Sequence, residues 1–444
     1  MSNISTQQHA PTVAFYTLGC KVNQQETDSM RALFERAGYE VVSFEDCADV
    51  YVVNTCTVTQ VSDKKSRQCI ARAHARNPAA LIAVVGCYAQ REPALVGELP
   101  GVRLVVGTQH RAKIVELVQQ AKEASVVEDI QKARLFEALP LADESERTRV
   151  QLKIQDGCDR YCSYCIIPYA RGPVRSRPLA ELKEEIALVG ARKTGELVLT
   201  GIHLMSYGKD LRDGASLCDV IRAAAEQEGI GRVRLGSLEP ALVDDAFVGE
   251  MVDAGQGKLC PQFHLSLQSG SDTVLVRMHR RYTVEEYRNA VNRLRKAFLG
   301  CAITTDIIAG FPGETEQEHV QTLAFVREMR FARVHVFPYS RRTGTVAASM
   351  AGQLSRKEKE QRAHELIVES KAAEAAYLQE QVRSTQQVVV EEANADYAEG
   401  YTGNYLRTRV FPTAPQNTMQ TVRITQVKEG VLFAQRISCN EAHK

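Results

Sequence analysis

Residues 150–172, VQLKIQDGCDRYCSYCIIPYARG, decide the fold of the middle of this chain. The first six residues alternate apolar and polar side chains, which predicts a β-strand, and a cysteine-rich loop follows that strand directly. Cys158, Cys162 and Cys165 lie within eight residues in the spacing C-x-x-x-C-x-x-C. A closed zinc site takes four ligands and a disulfide takes two, so three thiols predict a metal group with one open position.

The chain after this loop repeats the same order of strand and helix five more times. The further strand candidates are ELVLT (196–200), RVRLGS (232–237), FHLSLQ (263–268), AITTDIIAG (302–310) and ARVHVFP (332–338). Six consecutive βα units with short connections predict a partial (β/α)6 barrel. The cysteine loop would then lie at the mouth formed by the carboxyl ends of the strands, where such folds hold their chemistry.

Thiolates are soft ligands, and three of them can hold three corners of a 4Fe-4S cube while the fourth iron stays open. The alternative is a zinc site completed by a distant ligand such as His203 or Cys260. The spacing after the first strand of a βα barrel resembles that of the radical S-adenosylmethionine (SAM) superfamily. This resemblance implies that SAM binds the open iron through its amino and carboxylate groups and is cleaved to methionine and a 5′-deoxyadenosyl radical.

Small and polar residues also follow the later strands, in the segments LTGIHL, GSLEP, LQSGS and AGFPGET. Each segment taken singly fits an ordinary βα loop, but all four fall at the same predicted mouth. Glycine at such positions lets a ligand approach the backbone closely. The candidate SAM contacts are Ser237, Glu239, Gln268 and Gly310.

A second set of three cysteines ends three strand candidates near the start of the chain. Cys20 ends TVAFYTLGC, Cys56 ends DVYVVNTC and Cys87 ends LIAVVGC. With YEVVS (39–43), RLVVGT (103–108) and the helical segments between them, these strands predict a parallel sheet covered by helices. Ligands bind at the carboxyl edge of such sheets, so the three thiols could converge there on a second open cluster.

The alternative for any of these cysteines is burial as a small apolar side chain. We give that interpretation to the cysteines that lack a position at a strand end or in the loop. They are Cys47, Cys69, Cys218, Cys260, Cys301 and Cys439.

The pattern changes in the connector and at the end of the chain. A polar, acidic segment from about 122 to 149 predicts a connector, and a long polar helix is predicted over 354–382. After residue 384 come the short strand candidates QQVVVEE, NYLRTRVF, MQTVRITQV and GVLFAQRI, separated by Gly, Asn and Pro. This pattern predicts a small all-β barrel or sandwich.

The bulk composition limits the class of protein. The chain has 444 residues, so two or three domains are expected, and its formal net charge of +1 means that nucleic-acid contact needs local basic patches. No apolar run reaches the roughly 18 residues that span a bilayer, and the first residues lack the order of a signal peptide. We expect a cytoplasmic protein without a membrane contact, in a compartment where thiols stay reduced.

Taken together, the motifs look like those of the methylthiotransferases. The resemblance rests on TLGCKVNQQET, VVNTCTVT, VVGCYAQ, GCDRYCSYCIIPYARG, VLTGIHL, SLEP, HLSLQSGSDTVLVRMHRRYT and TDIIAGFPGETE, and it runs from about residue 12 to 437. It implies a flavodoxin-like methylthiotransferase domain over 10–122, a radical SAM core over 144–375 and an RNA-binding, TRAM-like β-barrel over 380–442.

The resemblance also implies two 4Fe-4S clusters. The ligands that match the N-terminal auxiliary cluster are Cys20, Cys56 and Cys87, and those that match the SAM-binding cluster are Cys158, Cys162 and Cys165. One SAM methylates sulfur held at the N-terminal cluster, and a second SAM gives the radical that activates the substrate carbon. The implied reaction replaces a C–H bond by C–S–CH3.

TLGCKVNQ and CIIPYARG most resemble the branch that acts on N(6)-threonylcarbamoyladenosine, immediately 3′ of the tRNA anticodon, and gives its 2-methylthio derivative. The alternatives are the N(6)-isopentenyladenosine branch, the branch that modifies a ribosomal-protein aspartate, and a non-catalytic metal-containing RNA-binding protein. The implied partners are the tRNA anticodon stem-loop, an electron donor such as flavodoxin or ferredoxin, and a sulfur donor.

Local basic and aromatic residues suit contact with RNA. In the terminal barrel, Tyr401 and Tyr405 stand beside Arg407 and Arg409, a mixture that favours base stacking and phosphate pairing. Arg280, in the segment HRRY, is a further candidate for contact with the nucleic acid.

Overall fold

The computed structural model describes residues 10–120, 123–142 and 148–437, which form two compact units. The first unit holds the described residues before 143 together with 157–160 and 165–175, and the second unit holds the rest. The predicted domain limits at residues 122, 144 and 442 lie outside the described residues, as does Cys439. The predicted limits of the domains therefore stay predictions.

The first unit is a parallel sheet with helices between its strands. The strands are β1 (Thr12–Thr17), β2 (Glu40–Val42), β3 (Val50–Thr55), β4 (Leu81–Gly86), β5 (Val102–Val106) and β6 (Ala124–Val126). The helices are α1 (Lys21–Arg36), α2 (Gln60–Arg76), α3 (Cys87–Arg91), α4 (Pro93–Gly97), α5 (Ile114–Gln119) and α6 (Ile167–Arg171). The strand order is β2-β1-β3-β4-β5-β6 and the paired strands are parallel, which confirms the predicted α/β sheet.

Strands β3 and β4 form the centre of this sheet and are buried at every position. Tyr51 and Val53 pack into the apolar cluster on one face, whereas Val50 and Val52 pack into the cluster on the other. Both faces are covered because helices connect the parallel strands, and this explains the continuous apolar runs in the sequence.

The edge strand β6 lies in the segment that the sequence predicts as a connector. It pairs with β5 through Leu104 and Ala124 at the start of the register. Three residues are too few to show a period of two, so the pattern gave no signal for a strand. The connector prediction is therefore wrong for residues 124–126.

The second unit begins with the barrel strands. They are β7 (Arg149–Asp156), β8 (Arg175–Ser176), β9 (Glu196–Gly201), β10 (Arg232–Leu235), β11 (Ser237–Leu238), β12 (Gln262–Leu265), β13 (Ala302–Ala309) and β14 (Arg333–Pro338). They form two sheets in the orders β10-β9-β7-β8 and β11-β12-β13-β14. The candidate strand RVRLGS is divided at Gly236 between the two sheets. The main strands run parallel in chain order, so the partial barrel is confirmed.

Helices separate these strands and carry the chain from one to the next. They are α7 (Leu179–Ala191), α8 (Leu217–Glu226), α9 (Asp245–Gly255), α10 (Asp272–Arg277), α11 (Val284–Ala297), α12 (Glu316–Met329), α13 (Val346–Ser349) and α14 (Arg356–Glu380). The side chain of Ser355 caps the amino end of α14, the long polar helix that the sequence predicts. None of the helices among the described residues is long and apolar enough to cross a membrane.

The last part of the second unit is a closed five-stranded barrel. Its strands are β15 (Thr385–Ala393), β16 (Ala398–Thr402), β17 (Arg407–Phe411), β18 (Met419–Lys428) and β19 (Val431–Arg436), in the order β15-β16-β17-β19-β18. Val388, Val410, Val422 and Leu432 belong to its apolar core. The predicted small all-β barrel is confirmed. The strand pattern does not predict β16, because AEGYT is poor in residues that favour strands.

Candidate functional site

The N-terminal cysteines lie at one edge of the parallel sheet. Cys20 caps the amino end of α1 after β1, Cys56 follows β3, and Cys87 begins α3 after β4. Strands β1, β3 and β4 are neighbours and run parallel, so their carboxyl ends bring all three cysteines to the same edge. This is the edge at which the sequence predicts a ligand.

Two glycines that precede these cysteines let the strand ends approach closely. Gly19 has a φ of +108°, and a Cβ there would lie 2.9 Å from the Cβ of Cys56. Gly86 has a φ of +94°, and a Cβ there would lie 2.5 Å from Oδ1 of Asn54. A side chain at either position would both strain the backbone and push the strand ends apart.

Burial opposes metal binding by Cys56 and Cys87, because a thiol ligand must lose its proton. Burial raises the pKa of Cys87 to about 12, the charge of Arg171 acts to lower it, and Cys56 and Cys20 act to raise it. Burial is also the main cause that raises the pKa of Cys56. The cysteines therefore share one electrostatic environment, in which a positive charge is needed to stabilise thiolates.

Arg171 is the cation buried in this environment. It ends α6 and has no exposed surface. Its Nε lies 3.3 Å from Sγ of Cys87. Its Nη1 donates to Oε1 of Glu26 at 2.6 Å, and its Nη2 donates to Oε2 of Glu26 at 3.1 Å and to Oδ1 of Asn23 at 2.6 Å. The guanidinium thus holds the carboxylate with one side and faces the sulfur with the other.

Glu26 binds a second buried arginine. Nη1 of Arg111 lies 2.5 Å from Oε2 of Glu26. On its other side Arg111 donates from Nε and Nη2 to Oε2 of Glu137 at 3.1 and 3.0 Å. Two arginines and two carboxylates therefore alternate inside the first unit. Their mutual attraction offsets the desolvation penalty of several kcal/mol that each buried ion carries.

Hydrogen bonds within each unit hold the cysteine loop of residues 158–165. In the first unit, the N–H of Cys158 donates to the carbonyl oxygen of Gly172 at 3.0 Å. In the second unit, Ser163 donates its N–H to the carbonyl of Met278 at 3.0 Å and its hydroxyl to that of Arg277 at 2.8 Å. Ser163 follows Cys162, so these two bonds fix the backbone at that cysteine.

Arg280 is the buried cation beside Cys162. Its Nη1 lies 3.4 Å from Sγ of Cys162, and its Nη2 lies 3.2 and 3.4 Å from the carboxylate oxygens of Glu239. Its Nε donates to the hydroxyl of Tyr282 at 3.0 Å. The expectation that Arg280 contacts RNA is therefore wrong, because its side chain is used within the core. One guanidinium instead joins a loop cysteine to Glu239, a candidate SAM contact.

The other candidate SAM contacts also follow strands of the barrel. Ser237 begins β11 and is exposed, and Gln268 follows β12 with a φ of +70°. Gly310 follows β13, and a Cβ there would lie 2.4 Å from Cγ of Lys359 in α14. Packing against Lys359 explains this glycine without a ligand. The contact of all four candidates with SAM stays a prediction.

The two alternative zinc ligands take part in other networks. Nδ1 of His203 lies 2.8 Å from Oγ of Ser206, and its Nε2 lies 3.3 Å from Oε2 of Glu239. Cys260 is buried, which raises the pKa of its thiol to about 11, and the charge of Arg234 acts to lower it. Within residues 10–120, 123–142 and 148–437, no group of three or more His, Cys, Asp and Glu is arranged to hold a single metal ion.

The remaining cysteines separate into two groups. Cys69, Cys218, Cys260 and Cys301 are buried, which confirms their interpretation as small apolar side chains. Cys47 is exposed, so the same interpretation is wrong for that residue. It lies in the loop between β2 and β3, in which Phe44 and Ala48 are buried in the core but Cys47 is not.

The tyrosines expected to stack on RNA bases contact each other and two arginines within the second unit. The rings of Tyr401 and Tyr405 stack on each other with centroids 4.9 Å apart. The guanidinium of Arg149 lies 4.9 and 5.1 Å from the two ring centroids, and that of Arg234 lies 4.7 Å from the ring of Tyr405. These contacts lie within the second unit, both rings are half-buried, and base stacking by them stays a prediction.

Glu196 fastens the terminal barrel to the barrel strands β9 and β10. It accepts from Nε of Arg232 at 2.5 Å and from Nε of Arg234 at 2.6 Å. The same arginines donate to the carbonyl oxygens of Tyr401 and Gly403 at 3.0 Å each. Burial acts to raise the pKa of Glu196, but Arg234 and Arg232 outweigh it and lower the pKa to about 2.

A different group of side chains lies on the outside of the terminal barrel. We call it the aromatic–basic face, and it consists of Tyr397, Arg409, Phe411, Lys428 and Phe433. The rings of Phe411 and Phe433 stack 6.0 Å apart, the guanidinium of Arg409 lies 4.8 Å from the ring of Tyr397, and Nζ of Lys428 lies 5.5 Å from that of Phe433. The alternate residues of β17 and β19 fill the barrel core, so these side chains point outward.

Comparison with curated proteins decides the family. The chain is 44% identical to the threonylcarbamoyladenosine tRNA methylthiotransferase MtaB of Bacillus subtilis (strain 168), over 94% of each chain. It is 38% identical to the protein of that name from Aquifex aeolicus (strain VF5), over 86% of this chain and 93% of that one. This chain belongs to the radical SAM methylthiotransferase family. The predicted enzyme class is confirmed.

Family models match two segments of this methylthiotransferase. Residues 152–326 match the radical SAM superfamily, and residues 12–107 match an uncharacterized protein family, UPF0004. Membership of the radical SAM superfamily implies SAM and a 4Fe-4S cluster as cofactors. The radical SAM methyltransferase TsrM from Kitasatospora setae has a similar fold, with a TM-score of 0.57 at 14% identity over 77% of this chain and 74% of that one.

Sequence reasoning did not single out Arg171, and it gave Arg280 a role in contact with RNA rather than a place beside a cysteine. Arg171 stands six residues after Cys165, in the segment YARG, and Arg280 stands in HRRY. Basic residues are mostly solvated, so an isolated arginine gives no signal of burial. An acidic residue on the buried face of a helix, such as Glu26 in α1, is the available signal, because a buried carboxylate needs a cation.

Proposed function

We propose that this methylthiotransferase converts N(6)-threonylcarbamoyladenosine, immediately 3′ of the tRNA anticodon, into its 2-methylthio derivative. The name of the two relatives at 44% and 38% identity supports this nucleoside. The observation that carries the reaction type is the second set of cysteines, gathered at the carboxyl ends of β1, β3 and β4. One open cluster serves SAM cleavage, whereas sulfur transfer needs a second place to hold sulfur.

Cys158, Cys162 and Cys165 would hold the SAM-binding 4Fe-4S cluster, and Cys20, Cys56 and Cys87 would hold the auxiliary one. The residues of the N-terminal set fit a cluster, since the thiols are free and a buried guanidinium faces one of them. Cys20 also stands at the N-cap position of α1, without a side-chain hydrogen bond to the helix. The proposed SAM contacts remain Ser237, Glu239, Gln268 and Gly310.

When bound, the two clusters and SAM would supply the radical chemistry and the sulfur. The chain itself orients and encloses these groups. Arg280 holds the carboxylate of Glu239 beside Cys162, and the hydroxyl of Tyr282 donates to the carbonyl oxygens of Ser266 and Leu267 at 2.5 and 2.7 Å. These contacts fix the buried side of the barrel mouth before any ligand arrives.

The aromatic–basic face is our candidate for contact with the tRNA anticodon stem-loop. Its rings are half-buried, Lys428 is exposed, and cations lie against the ring faces. Bases stack on aromatic rings and phosphates pair with Arg and Lys, so this combination fits RNA. It adds to Tyr401 and Tyr405, the rings to which the sequence assigned this role.

The reaction also needs an electron donor, such as flavodoxin or ferredoxin, and a sulfur donor. We expect the enzyme to act in the cytoplasm, because its substrate is tRNA and its ligands are reduced thiols.

Nucleoside analysis of tRNA from a deletion strain tests the proposed substrate. The 2-methylthio derivative of N(6)-threonylcarbamoyladenosine should disappear and its precursor should accumulate, and the gene supplied in trans should restore the product. Loss of the isopentenyladenosine derivative instead would assign that branch. If both derivatives are unchanged, the tRNA activity is excluded and the ribosomal-protein aspartate is the next substrate to examine.

Metal analysis after anaerobic reconstitution tests the cofactors separately. Two clusters predict about eight irons and no zinc. Stoichiometric zinc would favour the non-catalytic RNA-binding alternative.

The aromatic–basic face has its own test. Phe433→Ala should weaken binding of an anticodon stem-loop by about 1–3 kcal/mol, the contribution of one stacked base. Val320→Ala is the matched control, because Val320 is an exposed apolar side chain of α12 outside the terminal barrel. Equal affinities of the two variants would exclude this face as the contact.

A further inference from the structure

The side chain of Arg171 has a fixed direction. The carboxylate of Glu26 accepts hydrogen bonds from both Nη nitrogens of Arg171, at 2.6 and 3.1 Å. Oδ1 of Asn23 accepts a further hydrogen bond from Nη2. A guanidinium is planar, so holding both Nη nitrogens also fixes where the Nε–H points. That hydrogen is directed at Sγ of Cys87, at an Nε to Sγ distance of 3.3 Å.

The residues that hold Arg171 are themselves fixed. Nη1 of Arg111 lies against Glu26, and Arg111 is anchored by Glu137 and by the carbonyl oxygen of Thr108 at 2.6 Å. Nδ2 of Asn23 donates to the carbonyl oxygens of Leu18 and Thr55 at 2.8 and 3.0 Å. Arg171, Glu26, Asn23 and Arg111 are all buried. Such a network keeps one geometry, because every alternative leaves a buried charge or amide without its partner.

Hydrogen bonds to the sulfurs are among the properties that set the reduction potential of an iron–sulfur cluster. Reduction adds an electron, and part of the added negative charge falls on the ligand sulfurs. A donor aimed at such a sulfur stabilises the reduced form more than the oxidised form. The potential therefore rises when the bond is present.

We propose that Arg171 is a positioning residue for the N-terminal cluster and raises its reduction potential by donating its Nε–H to the ligand sulfur of Cys87. The inference rests on the proposed function, since it requires a cluster on Cys20, Cys56 and Cys87. It adds a role for the segment YARG, which lies beyond the last cysteine of the loop.

The test uses the full chain with the loop cysteines removed, as Cys158→Ala, Cys162→Ala and Cys165→Ala together. After anaerobic reconstitution this parent should hold about four irons, all in the N-terminal cluster. An EPR-monitored redox titration then compares the parent with Arg171→Gln. The midpoint potential of Arg171→Gln should be more negative, because the donor to sulfur is lost. Equal midpoints would overturn the inference.

Arg111→Gln is the matched control in the same parent. It removes another buried arginine that binds Glu26, together with Glu137 and Thr108, whereas the contact with Sγ of Cys87 at 3.3 Å is made by Arg171. We expect its shift of the midpoint to be smaller than that of Arg171→Gln. Equal shifts would show that the ion network, rather than the bond to sulfur, sets the potential, and would also overturn the inference.

A measurement without substitution of Arg171 covers the case in which Arg171→Gln does not retain a cluster. The parent is labelled with 15N-arginine, and pulsed EPR of the reduced cluster should show a coupling from one guanidinium nitrogen. If the cluster forms and no coupling is found, Arg171 does not bind its sulfur. If the parent holds no iron at all, the proposed second cluster fails, and that outcome is distinct from failure of the role of Arg171.

Discussion

The two cysteine sets of this enzyme are held in different ways. The N-terminal set comes from the ends of three neighbouring strands, whereas the other comes from one loop of eight residues. Each has a buried arginine near one sulfur, at 3.3 Å for Arg171 and Cys87 and at 3.4 Å for Arg280 and Cys162.

The carboxylate partners of these arginines differ. Glu26 meets Arg171 at 2.6 Å and also binds Arg111, so it is shared by two cations. Glu239 meets Arg280 at 3.2 Å and faces His203 on its other side. The first arrangement links one carboxylate to two arginines, whereas the second links one carboxylate to an arginine and a histidine.

Cys162→Ala tests the loop and should have the largest effect. Loss of one of three ligands removes the SAM-binding cluster, so reductive cleavage of SAM should be abolished together with product formation. The measurement is the yield of 5′-deoxyadenosine after reduction. Intact cleavage would refute the assignment of the loop.

Cys56→Ala tests the N-terminal set and should separate two activities. SAM cleavage should remain, because the loop cysteines are unchanged, but the methylthio product should be lost, because the place that holds sulfur is damaged. Both products are measured in the same reaction by mass spectrometry. Full turnover to the methylthio nucleoside would contradict the role of Cys56.

Glu26→Ala tests the closed ion network in the absence of any cluster. It leaves Arg171 and Arg111 buried without their shared carboxylate, so the free energy of unfolding should fall by about 3–5 kcal/mol. Glu45→Ala is the matched control, since Glu45 also binds two arginines, Arg72 and Arg76, but is 57% exposed. Its loss should cost less than about 1 kcal/mol. Urea denaturation of the two apo variants measures the difference, and equal losses would refute the buried network.

Glu196→Gln gives a smaller effect and depends on pH. Glu196 is also shared by two arginines, which join the barrel strands to the terminal barrel. Its pKa falls from 4.5 to about 2 on folding, so its contribution to stability is complete above pH 4.5 and is lost as the pH falls toward 2. The difference in unfolding free energy between wild type and Glu196→Gln should shrink over that interval. A difference that is independent of pH would contradict the low pKa.

Much of the fold follows from local patterns in the sequence. The apolar runs DVYVVNTC and LIAVVGC indicate buried parallel strands, and the repeated βα units indicate the partial barrel. The short strand β6 and the Gly-containing strand β16 give no such pattern, because their pairing depends on neighbours that are distant in sequence. Periodicity therefore predicts helices and strands that have an apolar face of their own. It misses short strands that form only because they pair with a neighbouring strand.

The sequence by itself determined the order of the parallel sheet, the partial barrel and the terminal barrel along the chain. It also determined the positions of all six proposed cluster ligands, since strand ends and cysteine spacing are local properties. Only the tertiary structure decided which charges lie beside them. It brought Arg171 to Cys87 and Arg280 to Cys162, and it stacked the ring of Tyr401 on that of Tyr405. The physical reason is that a buried charge is stabilised by partners from distant segments, and no local pattern records which segments will meet.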